Sequence, residues 1–112
     1  MKMMAQRLYG VKDLRWMEIE VPELLENEVL IRVKYCGVCG TDQAIYSGES
    51  SFWGEGLIHV PMTFGHEYSG VIEAVGKRVS NFKVGDRVVC DTGISCGICD
   101  RCREGDYLFC SK

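Results

Sequence analysis

The sequence has 112 residues, 46% of them hydrophobic and 26% charged, and 13 Lys and Arg against 16 Asp and Glu give a formal net charge of −3. A chain of this size forms one small domain and is too short to hold a dinucleotide-binding domain as well. It lacks a basic stripe and any apolar run of membrane-spanning length, which argues against nucleic-acid and membrane partners. Charges in residues 1–7 interrupt any signal-peptide core, so we expect a cytoplasmic protein.

Short β-strands dominate the predicted secondary structure. In the third predicted strand, Val29, Ile31, Val33 and Tyr35 alternate with other residues, which predicts that this strand buries one face. The density of short strands and turns predicts a mainly β fold, a small and partly open β-barrel. In chain order the predicted strands are residues 4–9, 15–21, 28–35, 68–75 and 87–90.

Helical signal is weak and confined to two short segments. Thr41 or Asp42 can cap one helical turn that ends at Gly48. Residues 99–103 can form another turn before Gly105. Both predicted turns lie next to cysteines, so they are well placed to present metal ligands.

Residues 50–59 lack a clean period and contain two glycines, so we expect a loop there. Phe52 and Trp53 are its large aromatics. They either cap the barrel core, which is the commoner role of such residues, or line a substrate pocket.

Four of the seven cysteines follow the spacing C-x2-C-x2-C-x7-C near the C-terminus. Four thiolates at this spacing can converge tetrahedrally on one Zn²⁺, at about 2.3 Å each. Disulfide pairing is disfavoured, since an odd count leaves one thiol unpaired and a reducing compartment keeps thiols reduced. The alternative is that Cys110 is a core cysteine and the other three form a redox cluster. We expect a structural zinc lobe over residues 90–112, with these ligands: Cys96, Cys99, Cys102 and Cys110.

A second group of residues has the character of a catalytic metal site. Cys39 offers a thiolate, and His66 offers a neutral imidazole from a turn beside Gly65. Glu67 is either a third ligand or a carboxylate that supports the histidine. Each residue alone is a weak signal, because a single histidine is more often structural than a ligand.

Several motifs together resemble a known family in the same order along nearly the whole chain. They are YCGVCGTD at residues 35–42, FGHE at 64–67, GVIEAVG at 70–76, VGDRV at 84–88 and the four-cysteine segment. This pattern closely resembles the N-terminal, GroES-like catalytic domain of zinc-dependent medium-chain alcohol and polyol dehydrogenases. Residues 1–112 would be an incomplete copy of that catalytic domain.

The resemblance assigns a role to each site residue. Cys39 and His66 match the catalytic zinc ligands, and Glu67 matches a glutamate beside the metal that can approach it. Thr41 matches the hydroxyl that relays the alcohol proton, and Asp42 matches the carboxylate that orients the zinc histidine. The four cysteines of the lobe match the family's structural zinc site. The resemblance therefore implies two zinc ions, one catalytic and one structural.

The resemblance also implies what the complete enzyme does. It would oxidise a secondary alcohol or polyol to a ketone with NAD or NADP, and it would form a homo-oligomer. This chain has no G-x-G-x-x-G turn, so the dinucleotide-binding domain is absent and the chain alone is predicted to be inactive. Ala44 stands where threonine and polyol dehydrogenases often carry a histidine, which weakens a threonine dehydrogenase assignment and leaves the substrate open among secondary alcohols and polyols. The alternative is a zinc-binding interaction module without catalysis.

Three further residues have plainer interpretations. Cys36 forms a C-x-x-C with Cys39, but since Cys39 is assigned to metal, we expect Cys36 to be a small buried hydrophobic residue. Cys90 is expected in the core. His59 lies in the predicted loop and is expected at the surface.

Overall fold

Two separate three-stranded antiparallel sheets form the framework of the chain, in a computed structural model that describes residues 1–112. Three short helices and one 3-10 turn, Tyr107–Phe109, complete the secondary structure. The strands are β1 (Lys2–Gly10), β2 (Asp13–Glu20), β3 (Val29–Gly37), β4 (Met62–Thr63), β5 (Glu67–Val75) and β6 (Arg87–Val89). The helices are α1 (Gly40–Ser47), α2 (Ser51–Gly54) and α3 (Asp100–Arg103).

The first sheet has the strand order β2-β1-β4. Its central strand, β1, carries the most deeply buried side chain, that of Leu8. Leu8 pairs with Leu14 on one side and Met62 on the other. The turn of the β1–β2 hairpin reaches α1, where the Lys12 amide donates to the Tyr46 carbonyl at 2.8 Å. This contact ties the first sheet to the helix that follows β3.

The second sheet has the strand order β3-β5-β6. The pairing of β3 with β5 runs from Val29 opposite Val75 to Gly37 opposite Glu67. Gly70 in β5 has to be glycine, because a Cβ there would lie 2.3 Å from the Arg32 carbonyl oxygen. The register therefore brings the end of β3 and the start of β5 to one edge of the sheet.

The predicted burial of one face of β3 is wrong at its last two apolar positions, since Val33 is 51% exposed and Tyr35 is exposed as well. A register shift lies between Val33 and Tyr35, which pair with the adjacent β5 residues Gly70 and Ser69. Such a bulge turns the following side chain to the other face of the sheet. Tyr35 is accordingly 79% exposed.

The mainly β, partly open architecture predicted from the sequence is confirmed, with both sheets open rather than closed into one barrel. All five predicted strands form, with ends that differ by at most two residues. Three short elements were not predicted. They are β4, with two residues, α2, which lies within the segment expected to be a loop, and the 3-10 turn Tyr107–Phe109.

Helix α1 follows β3 almost directly. Its cap is Cys39 rather than the predicted Thr41 or Asp42, and the Cys39 amide donates to the Asp42 carboxylate one turn on. The helix ends at Gly48, as predicted, in the left-handed conformation with φ of 87°. No helix of this chain has both the length and the apolar character needed to cross a membrane.

The buried position of Leu8 allows a direct test of the first sheet. Replacing Leu8, which is 0% exposed, by Ala should lower the free energy of unfolding by about 3 kcal/mol, because it removes buried methyl groups and leaves a cavity. Leu57→Ala is the matched control, since Leu57 is 60% exposed, and it should cost about 0.5 kcal/mol or less. Urea denaturation followed by circular dichroism measures both. Equal losses in the two variants would contradict the assignment of Leu8 to the core.

Candidate active site and cysteine lobe

The structure brings Cys39, His66 and Glu67 together. One potential ligand atom from each residue lies within 4.8 Å of the other two. Cys39 comes from the segment between β3 and α1, whereas His66 directly precedes β5 and Glu67 is the first residue of β5. A thiolate, an imidazole and a carboxylate are the ligand types of catalytic zinc sites, so the donor set fits that metal.

Asp42 connects the two segments that carry these residues. Its side chain is almost fully buried, with one oxygen accepting the Cys39 amide at 3.0 Å and the other 3.1 Å from His66 Nδ1. A buried carboxylate needs such partners, because burial without hydrogen bonds is costly. The contact with Nδ1 favours a proton on that nitrogen and leaves Nε2 as the basic atom of His66.

Thr41 lies in the first turn of α1, next to the same group. The Cys39 thiol donates to the Thr41 hydroxyl oxygen, with 3.6 Å between sulfur and oxygen. Thr41 is exposed, so its hydroxyl can exchange protons with solvent while it lies beside the cysteine. This position fits the proton relay implied by the family resemblance.

The turn that precedes His66 is shaped by Gly65. Its φ of 108° favours glycine, and a Cβ there would lie 2.9 Å from the Cys36 sulfur. Cys36 and Gly65 both line an apolar groove of about 340 Å³ between β3 and the β4–β5 segment. Any larger side chain at position 65 would therefore be strained by this φ and would collide with the Cys36 sulfur unless that side chain moved.

The expected burial of Cys36 is wrong. Cys36 is exposed because the groove that it lines is open, and the bulge in β3 turns Cys36 instead of Tyr35 towards that groove. Cys90 is half-buried rather than part of the core. His59 is exposed, as expected.

The two aromatics of the predicted loop behave differently from each other. Trp53 is half-buried, and its indole N–H donates to the Ile45 carbonyl at the end of α1, at 2.8 Å. Phe52 is 37% exposed. Trp53 thus anchors α2 to α1 rather than capping a sheet.

The four cysteines of the lobe form the second group. Their sulfur atoms all lie within 4.8 Å of one another, as four ligands of one metal ion require. Backbone amides point at two of these sulfurs, from Cys99 to Cys96 at 3.3 Å and from Cys96 to Cys110 at 3.4 Å. The group spans the N-terminal side of α3, α3 itself and the end of the 3-10 turn. The donor set fits a closed structural zinc site.

Hydrogen bonds and desolvation give three thiols of the lobe different pKa values. Backbone amides of Ser111 and Cys102 lower the pKa of the Cys99 thiol to about 5. Amides of Cys96 and Lys112 lower the pKa of Cys110, whereas desolvation and the neighbouring Cys99 raise the pKa of Cys102 to about 11. Amide donors stabilise thiolates, and a metal ion deprotonates the remaining thiols as it binds.

Comparison with known proteins identifies the class of protein to which this chain belongs. Residues 25–112 match the family described as the alcohol dehydrogenase GroES-like domain. Because the match covers more than half of the chain, the chain belongs to this family.

Individual relatives share most of this chain. The L-threonine 3-dehydrogenase of Marinomonas sp. (strain MWYL1) is 41% identical over 100% of this chain, and the sorbitol dehydrogenase of Bacillus subtilis (strain 168) is 38% identical over 96%. Among solved structures, an alcohol dehydrogenase from E. coli CFT073 complexed with NADH superposes with a TM-score of 0.82 and 35% identity over 99% of this chain. The chain spans 32%, 30% and 31% of these three proteins, respectively, which is about a third of each.

Proposed function

We propose that this chain is the zinc-binding catalytic part of an NAD(P)-linked dehydrogenase that oxidises a secondary alcohol or polyol to a ketone. One observation carries the proposal. The buried Asp42 carboxylate joins the Cys39 amide to His66 Nδ1, which positions both potential ligands beside Glu67. A group used only for stability has no need of this oriented imidazole beside a thiol and a carboxylate. The names of the relatives, which include threonine, sorbitol and alcohol dehydrogenases, support the same reaction class.

Two different groups of residues would bind the two zinc ions. The catalytic ion would be held by Cys39, His66 and Glu67, and the structural ion by Cys96, Cys99, Cys102 and Cys110. When bound at the first group, zinc supplies a Lewis acid that polarises an alcohol oxygen. Three protein donors leave room for that oxygen, whereas four thiolates leave none.

The side chains around the first group would handle orientation and the proton. Asp42 holds His66 in one tautomer, so that Nε2 keeps its lone pair. The Thr41 hydroxyl, beside the Cys39 sulfur, would accept the alcohol proton and pass its own proton towards solvent. Removal of that proton favours departure of hydride from the alcohol carbon to the nicotinamide.

The nicotinamide would be positioned by another part of the complete enzyme, because this chain has no glycine-rich dinucleotide turn. The substrate would be a small-molecule alcohol or polyol. A homo-oligomer in the cytoplasm remains the expected state of the complete enzyme.

A zinc-binding interaction module is the second candidate, and one feature of the lobe favours it. Several apolar side chains around the four cysteines face solvent, with Ile94 98% exposed and Ile98 74% exposed. Large exposed apolar patches are typical of contact surfaces. This alternative gives no role to Asp42, His66 and Thr41, so it explains less of the chain.

Metal content tests the lobe. Purified, reduced protein should hold about one tightly bound zinc per chain, with a second bound more weakly at Cys39 and His66. Cys102→Ser should remove the tight zinc, whereas Cys90→Ser should keep it, because Cys90 lies outside both groups. Elemental analysis measures zinc per chain. Much less than one tight zinc, or no loss in Cys102→Ser, would contradict the structural site.

Turnover tests the catalytic proposal. This chain alone should not reduce NAD or NADP with any alcohol, whereas the same residues in an enzyme completed by a dinucleotide-binding domain should oxidise secondary alcohols or polyols. In that complete enzyme Thr41→Val should lower kcat by about 10²-fold while zinc content stays unchanged, because the proton relay is lost. Cys39→Ser should abolish turnover, whereas the control variant Cys36→Ser should leave turnover largely intact.

Absorbance of the reduced nicotinamide follows each reaction over a panel of alcohols. Activity of the isolated chain would overturn the proposal. Inactivity of the complete enzyme on every alcohol and polyol in the panel would overturn it as well.

A further inference from the structure

Gly37 is the last residue of β3 and faces Glu67 across the sheet. The two residues are direct partners in the register of β3 and β5. A Cβ built on Gly37 would lie 2.9 Å from Glu67 Oε2 and 3.4 Å from Glu67 Cβ. The space that a side chain would occupy at position 37 is therefore used by the Glu67 carboxylate.

The backbone does not explain why this residue is glycine. Gly37 is not among the glycines with positive φ, so other residues can adopt its conformation. Gly70, in the same sheet, is different, because a Cβ there would meet a backbone carbonyl oxygen at 2.3 Å. At Gly37 the nearest obstacle is the far end of a flexible side chain.

The Glu67 side chain belongs to the candidate metal group. A carboxylate oxygen of Glu67 lies within 4.8 Å of ligand atoms of Cys39 and His66. We propose that Gly37 is a positioning residue, whose missing side chain lets the Glu67 carboxylate stay within reach of a metal ion at this group. The inference rests on the proposed function, because it requires that Cys39 and His66 bind metal.

The geometry predicts an effect on the site without an effect on the fold. A methyl group at position 37 forces Glu67 into another rotamer, since Oε2 can move by rotation about side-chain bonds. The contacts of the added methyl with Glu67 Cβ and carbonyl oxygen, at 3.4 and 3.6 Å, need little backbone adjustment. Gly37→Ala should therefore fold normally and present the carboxylate elsewhere.

Binding of Co²⁺ tests the inference without any need for turnover. The 112-residue chain is first given one equivalent of Zn²⁺ to fill the cysteine lobe, and Co²⁺ is then titrated while its visible absorption bands are recorded. Gly37→Ala should weaken Co²⁺ binding at the second site by about 10-fold or more. Gly40→Ala is the matched control, because a Cβ there meets nothing within 4 Å, and it should bind Co²⁺ like the parent.

A double variant separates positioning from a general structural role. In the Glu67→Ala background, Gly37→Ala should cause no further loss of Co²⁺ affinity, because the displaced carboxylate is already absent. In the Glu67→Asp background the shorter side chain clears the added methyl, so Gly37→Ala should fold and bind Co²⁺ no more weakly than Glu67→Asp alone. Circular dichroism checks folding of every variant.

The outcomes distinguish failure of the inference from failure of the proposed function. A parent chain that binds Co²⁺ at the second site but shows no effect of Gly37→Ala would overturn the inference alone. The same holds if Gly37→Ala weakens binding equally with and without the Glu67 carboxylate, or if it unfolds the chain in both the parent and Glu67→Asp backgrounds. Absence of second-site Co²⁺ in the parent would overturn the proposed function and the inference together.

Discussion

The candidate active site depends on one buried carboxylate, that of Asp42. Its two oxygens serve two different segments, since one accepts the Cys39 amide and the other faces His66 Nδ1. The first contact stabilises the start of α1, and the second orients the imidazole of His66, which directly precedes β5. A buried carboxylate that loses one partner is costly, so each contact supports the other. The fold thereby links helix capping to the orientation of a metal ligand.

The sheet supplies the remaining constraint on this site. Because Gly37 pairs with Glu67, the end of β3 and the start of β5 lie side by side, and the chain on either side carries Cys39 and His66. The cysteine lobe is built in another way, from closely spaced thiols within one short segment. Two of their sulfurs accept hydrogen bonds from backbone amides. Mixed donors with an open position suit chemistry, whereas four thiolates suit a structural ion. The two groups thus differ in the way that two zinc roles would require.

The convergence of the four cysteine sulfurs and the positions of the five strands could be predicted from the sequence, because both depend on local spacing. Four cysteines within one short segment can converge without knowledge of the fold, and alternating apolar residues indicate strands directly. Features that depend on pairing across the sheet could not be predicted in this way. The bulge that exposes Tyr35 and turns Cys36 to the groove depends on the partner strand, as does the contact of Gly37 with Glu67. The family resemblance predicts that Asp42 orients His66. The hydrogen bond from the Cys39 amide to Asp42 is seen only in the structure.

The protonation state of the His66 ring tests the role of Asp42 most directly. The chain has two histidines, so the exposed His59 is an internal reference. Nitrogen NMR of the metal-free chain, at a pH above the usual titration range of histidine, reports which ring nitrogen carries the proton. We expect His66 to hold its proton on Nδ1, facing Asp42, and to lose this preference in Asp42→Asn while α1 remains folded. A proton on Nε2 of His66, or a tautomer ratio equal to that of His59 in the unmodified chain, would contradict the account.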